Sequence, residues 1–409
     1  MKVKKESQVS RGANRVGRYP DLVCFSHLRW DFVYQRPQHL LSRAALERRV
    51  FFIEEPRFED CTMRLETYER DNGVKVIVPF LPEGLQSEIA IAAVLKEMIH
   101  TLFEAEALTE YIFWYYTPMA LKFTEHFNPL VSIYDCMDEL SAFKDAPMRL
   151  REYEKQLFKT ADLVFTGGQS LYEAKKQQHP AVHAFPSSID VTHFQQGRSV
   201  LAQPPDQKGI ASPRLGFFGV IDERFDIELL DRAAAMRPEW NFVMIGPVVK
   251  IDPAALPARP NIHYLGAKKY DELPRYLAGW DVALLLFARN EATRFISPTK
   301  TPEYLAAGKP VISTSIRDVV RPYAEMDLVR IADEPEDFVK AAEELLAQTD
   351  NTAWLQKVDS FLVNMSWDQT WLQMWRLIEA VIEAKQSKRR HSEKTIDLKP
   401  RRVQVASAS

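Results

Sequence analysis

Twelve short apolar runs, with helical stretches between several of them, constrain the fold of this chain more than any other feature. The runs are continuous rather than alternating, which is typical of parallel strands covered on both faces. Those of the first half are DLVCFSHL (21–28), VFFIEEP (50–56), VKVIVPFL (74–81), YIFWYYT (111–117), VSIYDCM (131–137) and LVFTGG (163–168). Those of the second half are RLGFFGVI (214–221), NFVMIGP (241–247), IHYLGA (262–267), VALLLFA (282–288), VISTS (311–315) and LVRIA (328–332). Two successive arrays of this kind predict an α/β protein with two doubly wound domains facing across a cleft.

The length of the chain supports this division. Its 409 residues exceed the roughly 250–300 residues at which a single hydrophobic core stops growing. Residues 195–213 are rich in Gly, Pro, Gln and Ser and predict a linker. We therefore expect an N-terminal domain over 20–200, a C-terminal domain over 212–365 and a final helix over 366–385.

The final helix has a clear start and one apolar face. Ser366 and Gln369 form a capping-box pattern at its N-terminus. The apolar residues that share one face of the helix are Trp367, Trp371, Met374, Trp375, Ile378, Val381 and Ile382. Core packing is the expected role of this face.

Two basic tails flank an acidic body. Residues 1–19 and 386–409 each carry a net charge of +5, so residues 20–385 carry −13 of the overall −3. Both tails are predicted to be disordered. A second interpretation is that they contact anionic lipid headgroups. A net positive charge confined to the tails argues against a nucleic-acid-binding domain, whose basic residues would cluster on one folded face.

Several other features bear on the compartment. No apolar run approaches the ~18 residues of a membrane-spanning helix, and the basic N-terminus lacks the apolar region of a signal peptide. Cys24, Cys61 and Cys136 are few, odd in number and widely spaced, which predicts reduced thiols and no structural zinc. We expect a cytoplasmic protein that contacts the inner face of the membrane, if at all, through its tails.

The stretch SPTKTPEYLAAGKPVISTS, residues 297–315, predicts a short helix followed by a strand. Thr301 is a suitable N-cap because Pro302 then occupies the first helical position. Thr299 is an equally acceptable cap. The Gly-Lys-Pro sequence that follows ends the helix.

This helix is predicted to begin at the carboxyl edge of a parallel sheet, where α/β folds bind ligands. Its N-terminus suits an anion such as a diphosphate, and Lys300 adds a full positive charge. Glu303 suits the vicinal hydroxyls of a ribose. The alternative is a well-capped helix in which Glu303 only complements the helix dipole.

Four segments in order resemble a known family. FISPTKTPEYLAAGKPVIS is similar to the donor-binding segment of retaining glycosyltransferases of glycosyltransferase family 4, which have the GT-B fold. The segments 161–194 and 260–287 resemble that family's last N-domain strand and helix and its base-binding loop. FSHLRWDFVYQRPQHLLSRAA resembles a bacterial subgroup that includes teichuronic-acid-type polysaccharide glycosyltransferases. The resemblance covers about 20–385.

The resemblance implies a GT-B fold whose final helix returns to the N-terminal domain. It also implies a nucleoside diphosphate sugar donor, with UDP as the expected nucleotide, and a saccharide or lipid-linked acceptor. Retaining transfer on this fold is thought to need no protein nucleophile, because the leaving phosphate accepts the proton of the acceptor. No cofactor is implied, and without a D-x-D sequence no carboxylate-bound metal is indicated.

The family's paired glutamates stand eight residues apart. Glu303 matches the second, which binds ribose, whereas the first falls on Phe295, and Glu291 is a candidate replacement. The further donor-binding candidates are Ser297, Thr299, Thr301, Gly219 and Gly246.

The family's diphosphate clamp is also altered. Its Arg and Lys fall on Val220 and Asp226. The resemblance therefore leaves Arg224 and Lys300 as substitutes, and fixed positive charge at the leaving diphosphate is the expected main catalytic effect.

One group of candidates follows the first strand. His27, Arg29, Trp30 and Asp31 lie on the acceptor side of the predicted cleft, where aromatic and charged groups suit sugar recognition. The alternative is a loop in which Trp30 packs and Arg29 pairs with Asp31.

A second group follows the fifth strand. Asp135 and Asp138 are candidate catalytic carboxylates that could orient the acceptor hydroxyl or the donor sugar. An N-cap role for Asp138 is the alternative. Arg36 and His39 are expected to be structural.

Three functions remain open from the sequence. The leading one is a sugar transferase. The second is a sugar-nucleotide epimerase or hydrolase in which Asp135 and Asp138 do acid–base chemistry. The third is a non-catalytic sugar-nucleotide-binding partner, because the first glutamate and the clamp of the family are missing.

Overall fold

The computed structural model describes residues 19–397, with side chains up to 391. Two sheets carry the architecture. The strands of the first are β1 Asp21–Ser26, β2 Val50–Glu54, β3 Arg57–Glu59, β4 Arg64–Glu69, β5 Val74–Pro82, β6 Tyr111–Tyr115, β7 Val131–Cys136, β8 Leu163–Thr166 and β9 Val182–Ala184. The strands of the second are β10 Arg214–Phe218, β11 Asn241–Ile245, β12 Ile262–Tyr264, β13 Val282–Leu285, β14 Val311–Ser313 and β15 Arg330–Ile331.

Fourteen α-helices connect or cover these strands in the described part of the chain. They are α1 Arg36–Ala44, α2 Glu88–Ala105, α3 Leu121–Thr124, α4 Leu150–Thr160, α5 Gln169–Lys175, α6 Val191–Gln195, α7 Pro205–Lys208, α8 Ile227–Met236, α9 Leu273–Ala278, α10 Lys300–Ala306, α11 Arg317–Val319, α12 Pro335–Ala347, α13 Thr352–Leu362 and α14 Trp367–Asp397. Short 3-10 and π turns lie at Pro118–Ala120, Leu140–Ala142, Gln196–Arg198, Pro253–Ala255, Tyr270–Glu272 and Val320–Ala324.

Both sheets are doubly wound. The first has the order β3-β5-β2-β1-β6-β7-β8-β9, with β4 added antiparallel to β5, and the second has the order β12-β11-β10-β13-β14-β15 with all strands parallel. The order reverses at β1 in one sheet and at β10 in the other. Loops at the carboxyl ends of neighbouring strands diverge at such a point and leave a crevice for ligands.

Each sheet is buried on both faces, which explains the continuous apolar runs. In β1, Leu22 and Cys24 join one core cluster while Val23 and Phe25 join the cluster on the opposite face. The second sheet is divided in the same way between two clusters. The predicted α/β architecture is confirmed.

The apolar face of α14 packs on the first domain, as predicted. Trp367, Trp371, Met374, Trp375 and Ile378 are buried in the same cluster as alternate residues of β1 and β2, and Val381 and Ile382 pack against it. The Ser366 hydroxyl accepts a hydrogen bond from the Gln369 amide at 3.1 Å.

Two boundary predictions need correction. The final helix continues beyond residue 385 to Asp397, because no Gly or Pro interrupts the chain before Pro400. The predicted linker contains α7, where the Gln207 side chain bonds to the second domain through Tyr276 and Trp280. The remaining tail residues, 1–18 and 398–409, lie outside the described part.

Two further observations concern the described residues. No helix among them combines the length and apolarity needed to cross a bilayer. Cys24, Cys61 and Cys136 are free thiols, two of them buried.

Candidate active site

A cavity of about 930 Å³ lies between the two domains. The loops after β1 and β7 line it from the first domain. The loops after β10, β11 and β12 and the start of α10 line it from the second. The cavity therefore lies at the carboxyl edges of both sheets, which is where the topology favours a ligand site.

The cavity brings together ten of the fifteen residues singled out in the sequence. These are Trp30, Asp31, Asp138, Gly219, Arg224, Gly246, Ser297, Thr299, Lys300 and Glu303. Five others do not line it, namely His27, Arg29, Asp135, Glu291 and Thr301.

Two glycine loops form a close stack beside Lys300. Gly219 and Gly246 have φ values of +146° and +144°, a region that side-chain-bearing residues rarely adopt. A Cβ on Gly246 would lie 1.8 Å from the Gly219 carbonyl oxygen. A Cβ on Gly219 would lie 2.1 Å from Cε of Lys300. Glycine is therefore required at both positions. At 246 it allows the two loops to stack, and at 219 it leaves room for the Lys300 side chain.

Glu303 is buried and Lys300 is half-buried, and neither side chain has a hydrogen-bond partner among the described residues. Burial raises the pKa of Glu303, and the charge of Lys300 only partly offsets this effect. Burial also lowers the pKa of Lys300, while Glu303 opposes the shift. Buried polar groups normally have partners. This pair is therefore a candidate for binding a polar ligand.

The start of α10 differs from the prediction that Thr301 is the N-cap and Pro302 the first helical residue. The helix begins at Lys300 with Thr299 in the N-cap position, and Pro302 is its third residue. Neither threonine caps the helix: Thr299 has helical φ and ψ (−56°, −29°) rather than the extended conformation of a capping residue. Thr301 is fully buried, and its hydroxyl has no partner.

Arg224 is a further cation that lines the cavity. Its guanidinium donates to the Asp222 carboxylate at 2.7 Å and lies 5.3 Å from the centre of the Phe143 ring. Asp226 caps α8 by accepting a hydrogen bond from the Leu229 amide at 2.9 Å. The positive charge near the glycine loops therefore comes from Arg224 and Lys300, whereas Asp226 serves a helix.

Asp138 faces these cations from the other domain. Burial raises the pKa of its carboxyl to about 6, and the charges of Arg224, Arg36 and Lys300 act in the opposite direction. Its side chain has no hydrogen-bond partner among the described residues. A carboxyl group with a pKa near neutrality beside a cavity is suited to hydrogen bonding or proton transfer.

Asp135 is not placed for catalysis. It is fully buried and accepts a bidentate pair of hydrogen bonds from Arg36, from Nε to Oδ2 at 3.0 Å and from Nη2 to Oδ1 at 2.9 Å. Arg36 also donates to the Phe185 carbonyl at 2.7 Å. The pair fastens α1 to β7, so the expectation that Arg36 is structural agrees with its contacts. His39 is likewise buried and stacks on Trp367.

The acceptor-side group separates into core and surface residues. Trp30 packs against Phe52 with ring centres 5.0 Å apart. Arg29 binds Glu54 at 3.0 Å, and Asp31 pairs with Arg70. The alternative in which Arg29 pairs with Asp31 is therefore wrong, although Trp30 does pack.

His27 lies outside the cavity lining but is enclosed at the end of β1. Burial lowers the pKa of its imidazole to about 4, with a further contribution from the nearby charge of Lys250. Its Nδ1 atom is buried without a hydrogen-bond partner. The ring is therefore neutral at pH 7.

The missing first glutamate is not replaced. Glu291 is largely exposed and lies 3.7 Å from Arg294, because its loop turns the side chain toward solvent. Phe295 packs against a core cluster of the first domain. This position therefore joins the two domains instead of presenting a carboxylate.

Two aromatic residues near the cavity were missed in the sequence. Tyr270, which lines it, stacks on His193 with ring centres 4.5 Å apart and contacts Tyr34 of the first domain at 4.6 Å. Phe143 contacts Arg224 across the cleft. Both follow the ends of strands, which is the only signal that the sequence offers for them. Among the described residues, no group of three or more His, Cys, Asp or Glu side chains is arranged around a metal position.

Comparison with known proteins supports the resemblance seen in the sequence. Residues 212–348 match the family model described as glycosyl transferases group 1. The Bacillus subtilis protein TuaH, named for a glycosyltransferase role in teichuronic acid biosynthesis, is 25% identical over 258 residues. The match spans 58% of this chain and 64% of TuaH, which is less than two thirds of that relative.

Solved structures share the fold. Sucrose-phosphate synthase from Thermosynechococcus elongatus superposes with a TM-score of 0.68 at 14% identity, covering 90% of this chain and all of that chain. HepE from Anabaena in complex with UDP gives 0.60 at 14% identity, covering 88% and 100%. An E. coli trehalose-6-phosphate structure bound with UDP-2-fluoro glucose gives 0.64 at 12% identity, covering 88% and 99%. The protein therefore has the GT-B fold, and its residues 212–348 are similar to the glycosyl transferases group 1 family.

Proposed function

We propose that this protein transfers a sugar from a nucleoside diphosphate sugar to a saccharide or lipid-linked acceptor in cell-surface polysaccharide biosynthesis. UDP is the expected nucleotide. The glycosyltransferase group 1 domain and the similarity to TuaH support this assignment, as do structural neighbours that hold UDP or a UDP-sugar.

The observation that carries the proposal is the convergence of Lys300, Arg224 and Glu303 in one interdomain cavity beside Gly219 and Gly246. Two cations and the exposed backbone of two glycine loops suit a diphosphate, since charge-assisted hydrogen bonds to phosphate are the stronger ones. Glu303, three residues after Lys300, suits the hydroxyls of the ribose.

The same groups account for catalysis. As the bond to the donor sugar breaks, negative charge develops on the leaving diphosphate, and Lys300 and Arg224 stabilise it. We propose that transfer retains the anomeric configuration, with the leaving phosphate accepting the proton of the acceptor hydroxyl. Asp138 would orient that hydroxyl from the first domain. The two side-chain cations supply the positive charge, so no metal is invoked.

One alternative loses support from the contacts of Asp135. An epimerase or hydrolase that used Asp135 and Asp138 as an acid–base pair would need Asp135 free to exchange a proton. Its bidentate contact with Arg36 instead occupies both of its carboxylate oxygens. A non-catalytic binder is separated from a transferase by measuring UDP release from UDP-sugars with and without added saccharide acceptors.

The first experiment is thermal unfolding of the wild type, Glu303→Ala and Lys300→Ala with UDP, GDP, ADP and CMP. A ligand present at about 100 times its Kd adds about 2.7 kcal/mol to the stability of the native state. One diphosphate should raise the midpoint of the wild type and of neither variant, and Glu291→Gln, in the same segment but outside the cavity, should respond like the wild type. Absence of a shift with every nucleotide would remove the main support for the proposal.

The expected location also stays a prediction. We propose a cytoplasmic enzyme whose basic tails contact anionic lipid at the inner face of the membrane. Sedimentation with vesicles that contain or lack phosphatidylglycerol, using the full chain and a variant without residues 398–409, tests the contribution of the C-terminal tail.

A further inference from the structure

Phe143 of the first domain contacts two cations of the second. The centre of its ring lies 5.3 Å from Cζ of Arg224 and 5.4 Å from Nζ of Lys250. Phe143 directly follows the turn Leu140–Ala142 in the loop after β7. A cation over an aromatic ring within about 6 Å is attracted by the electrons of that ring.

Arg224 has one other fixed contact. Asp222 accepts hydrogen bonds from Nε of Arg224 at 3.0 and 3.1 Å and from Nη2 at 2.7 Å. The guanidinium is therefore held by its own domain through Asp222 and by the opposite domain through Phe143. Its Nη1 atom forms no hydrogen bond with the described residues, which leaves a donor for a ligand in the cavity.

The first domain determines the position of the Phe143 loop. Glu139 of this loop pairs at 2.8 Å with Lys175, whose ammonium also pairs with Glu154 at 2.9 Å. Glu154 in turn accepts a hydrogen bond from Tyr134 of β7 at 2.9 Å. This buried network fixes the loop independently of the second domain, so the ring of Phe143 is a preset surface against which Arg224 rests.

We propose that Phe143 is a positioning residue for Arg224, so that the diphosphate subsite is complete only when the two domains are together. The inference rests on the proposed function, because it assigns Arg224 to the donor diphosphate. It adds that a residue of the acceptor-side domain, which does not line the cavity, determines the affinity for phosphate. Donor binding and closure of the cleft are coupled through this contact.

The test compares UDP, which carries the diphosphate, with uridine, which does not. Calorimetric titration of Phe143→Leu should give UDP binding weaker than wild type by about 3- to 30-fold, the range expected for a cation–aromatic contact, with uridine binding unchanged. Phe143→Tyr keeps the ring and should bind UDP like the wild type. Phe58→Leu is the matched control and should bind UDP like the wild type, because Phe58 is a half-exposed phenylalanine of the same domain that does not line the cavity.

A second arm uses the partner residue. Arg224→Met should weaken UDP binding by itself, and Phe143→Leu should cause no further loss in that background, since coupled residues are non-additive. Thermal unfolding checks that each variant is folded.

Three outcomes would overturn the inference while leaving the proposed function intact. They are wild-type UDP affinity in Phe143→Leu, an equal loss of UDP and uridine binding, and a loss in Phe143→Tyr as large as in Phe143→Leu. If the wild type binds no nucleoside diphosphate, the proposed function fails and the inference fails with it.

Discussion

The contact of Lys300 with the Gly219 loop gives the sharpest test of the cavity. In Gly219→Ala the new Cβ would lie 2.1 Å from Cε and 2.7 Å from Nζ of Lys300. Ordinary carbon–carbon contacts are about 3.5–4.0 Å, so the end of the lysine must move by more than 1 Å. The backbone at φ +146° is also unfavourable for alanine, at a cost of about 1–3 kcal/mol.

Gly73→Ala separates the two effects. Gly73 also has a positive φ, +83°, but its new Cβ would find only ordinary contacts at 3.7 Å or more, at a site in the first domain remote from the cavity. We expect Gly73→Ala to lose about 1–3 kcal/mol of unfolding free energy from its backbone conformation alone, and Gly219→Ala to lose more because the clash with Lys300 is added. Only Gly219→Ala should lose the rise in melting temperature caused by the nucleoside diphosphate.

Thermal and urea unfolding with and without UDP provide the assay. In the double variant Gly219→Ala with Lys300→Ala, the steric part of the destabilisation should disappear, so the two substitutions should be non-additive in unfolding free energy. Retention of the full UDP shift in Gly219→Ala would refute the reasoning, because it would mean that the position of Lys300 does not matter for the ligand.

Three further predictions concern the carboxylates. Asp135→Asn should lower the free energy of urea unfolding by about 3–5 kcal/mol, because it leaves Arg36 buried without a counter-ion; a loss below 1 kcal/mol would contradict the assigned pair. Glu291→Gln should leave the proposed transferase activity and UDP affinity within twofold of wild type, and a larger loss in steady-state assays would restore Glu291 to the site. Asp138 binds its proton more tightly in the native state than when unfolded, because burial raises its pKa to about 6. Wild-type stability relative to Asp138→Asn should therefore fall as the pH rises from about 4 to 7, by about 2 kcal/mol in urea unfolding, and a flat difference would argue against the shift.

The sequence predicts the fold well because both sheets are buried on two faces. Each of the twelve apolar runs contains a strand, although the strand in 328–332 has only two residues. The strands that were missed have little apolar character. β4, with the sequence RLETYE, is largely exposed and pairs antiparallel with β5, and β9 has only three residues. Both are stabilised by pairing with a neighbouring strand, β4 with β5 and β9 with β8, and such pairing requires no apolar pattern in the strand itself.

The site is predictable where position along a strand decides it. Gly219, Arg224, Lys300 and Glu303 meet because they follow the carboxyl ends of neighbouring strands or begin the helix beside them. Position along a strand does not predict which partner a side chain contacts. Asp135 is predicted to follow the fifth strand but lies within β7, one residue before its end, and its partner Arg36 is 99 residues away.

The charges around the cavity explain why both domains are needed. Arg224 and Lys300 are the cations beside the glycine loops, whereas Asp222, Glu303 and Asp138 are carboxylates near them. Without the proposed donor, these three carboxylates outnumber the two cations, so an incoming diphosphate meets a site that is not strongly positive. Asp222 is committed to Arg224, and Glu303 is suited to the ribose, which leaves Asp138 as the carboxylate that must accommodate the ligand. Its raised pKa reduces the electrostatic repulsion between Asp138 and the diphosphate, because the carboxyl is half protonated near pH 6. The first domain thus supplies both the group that adjusts its charge and, in Phe143, the surface that orients Arg224.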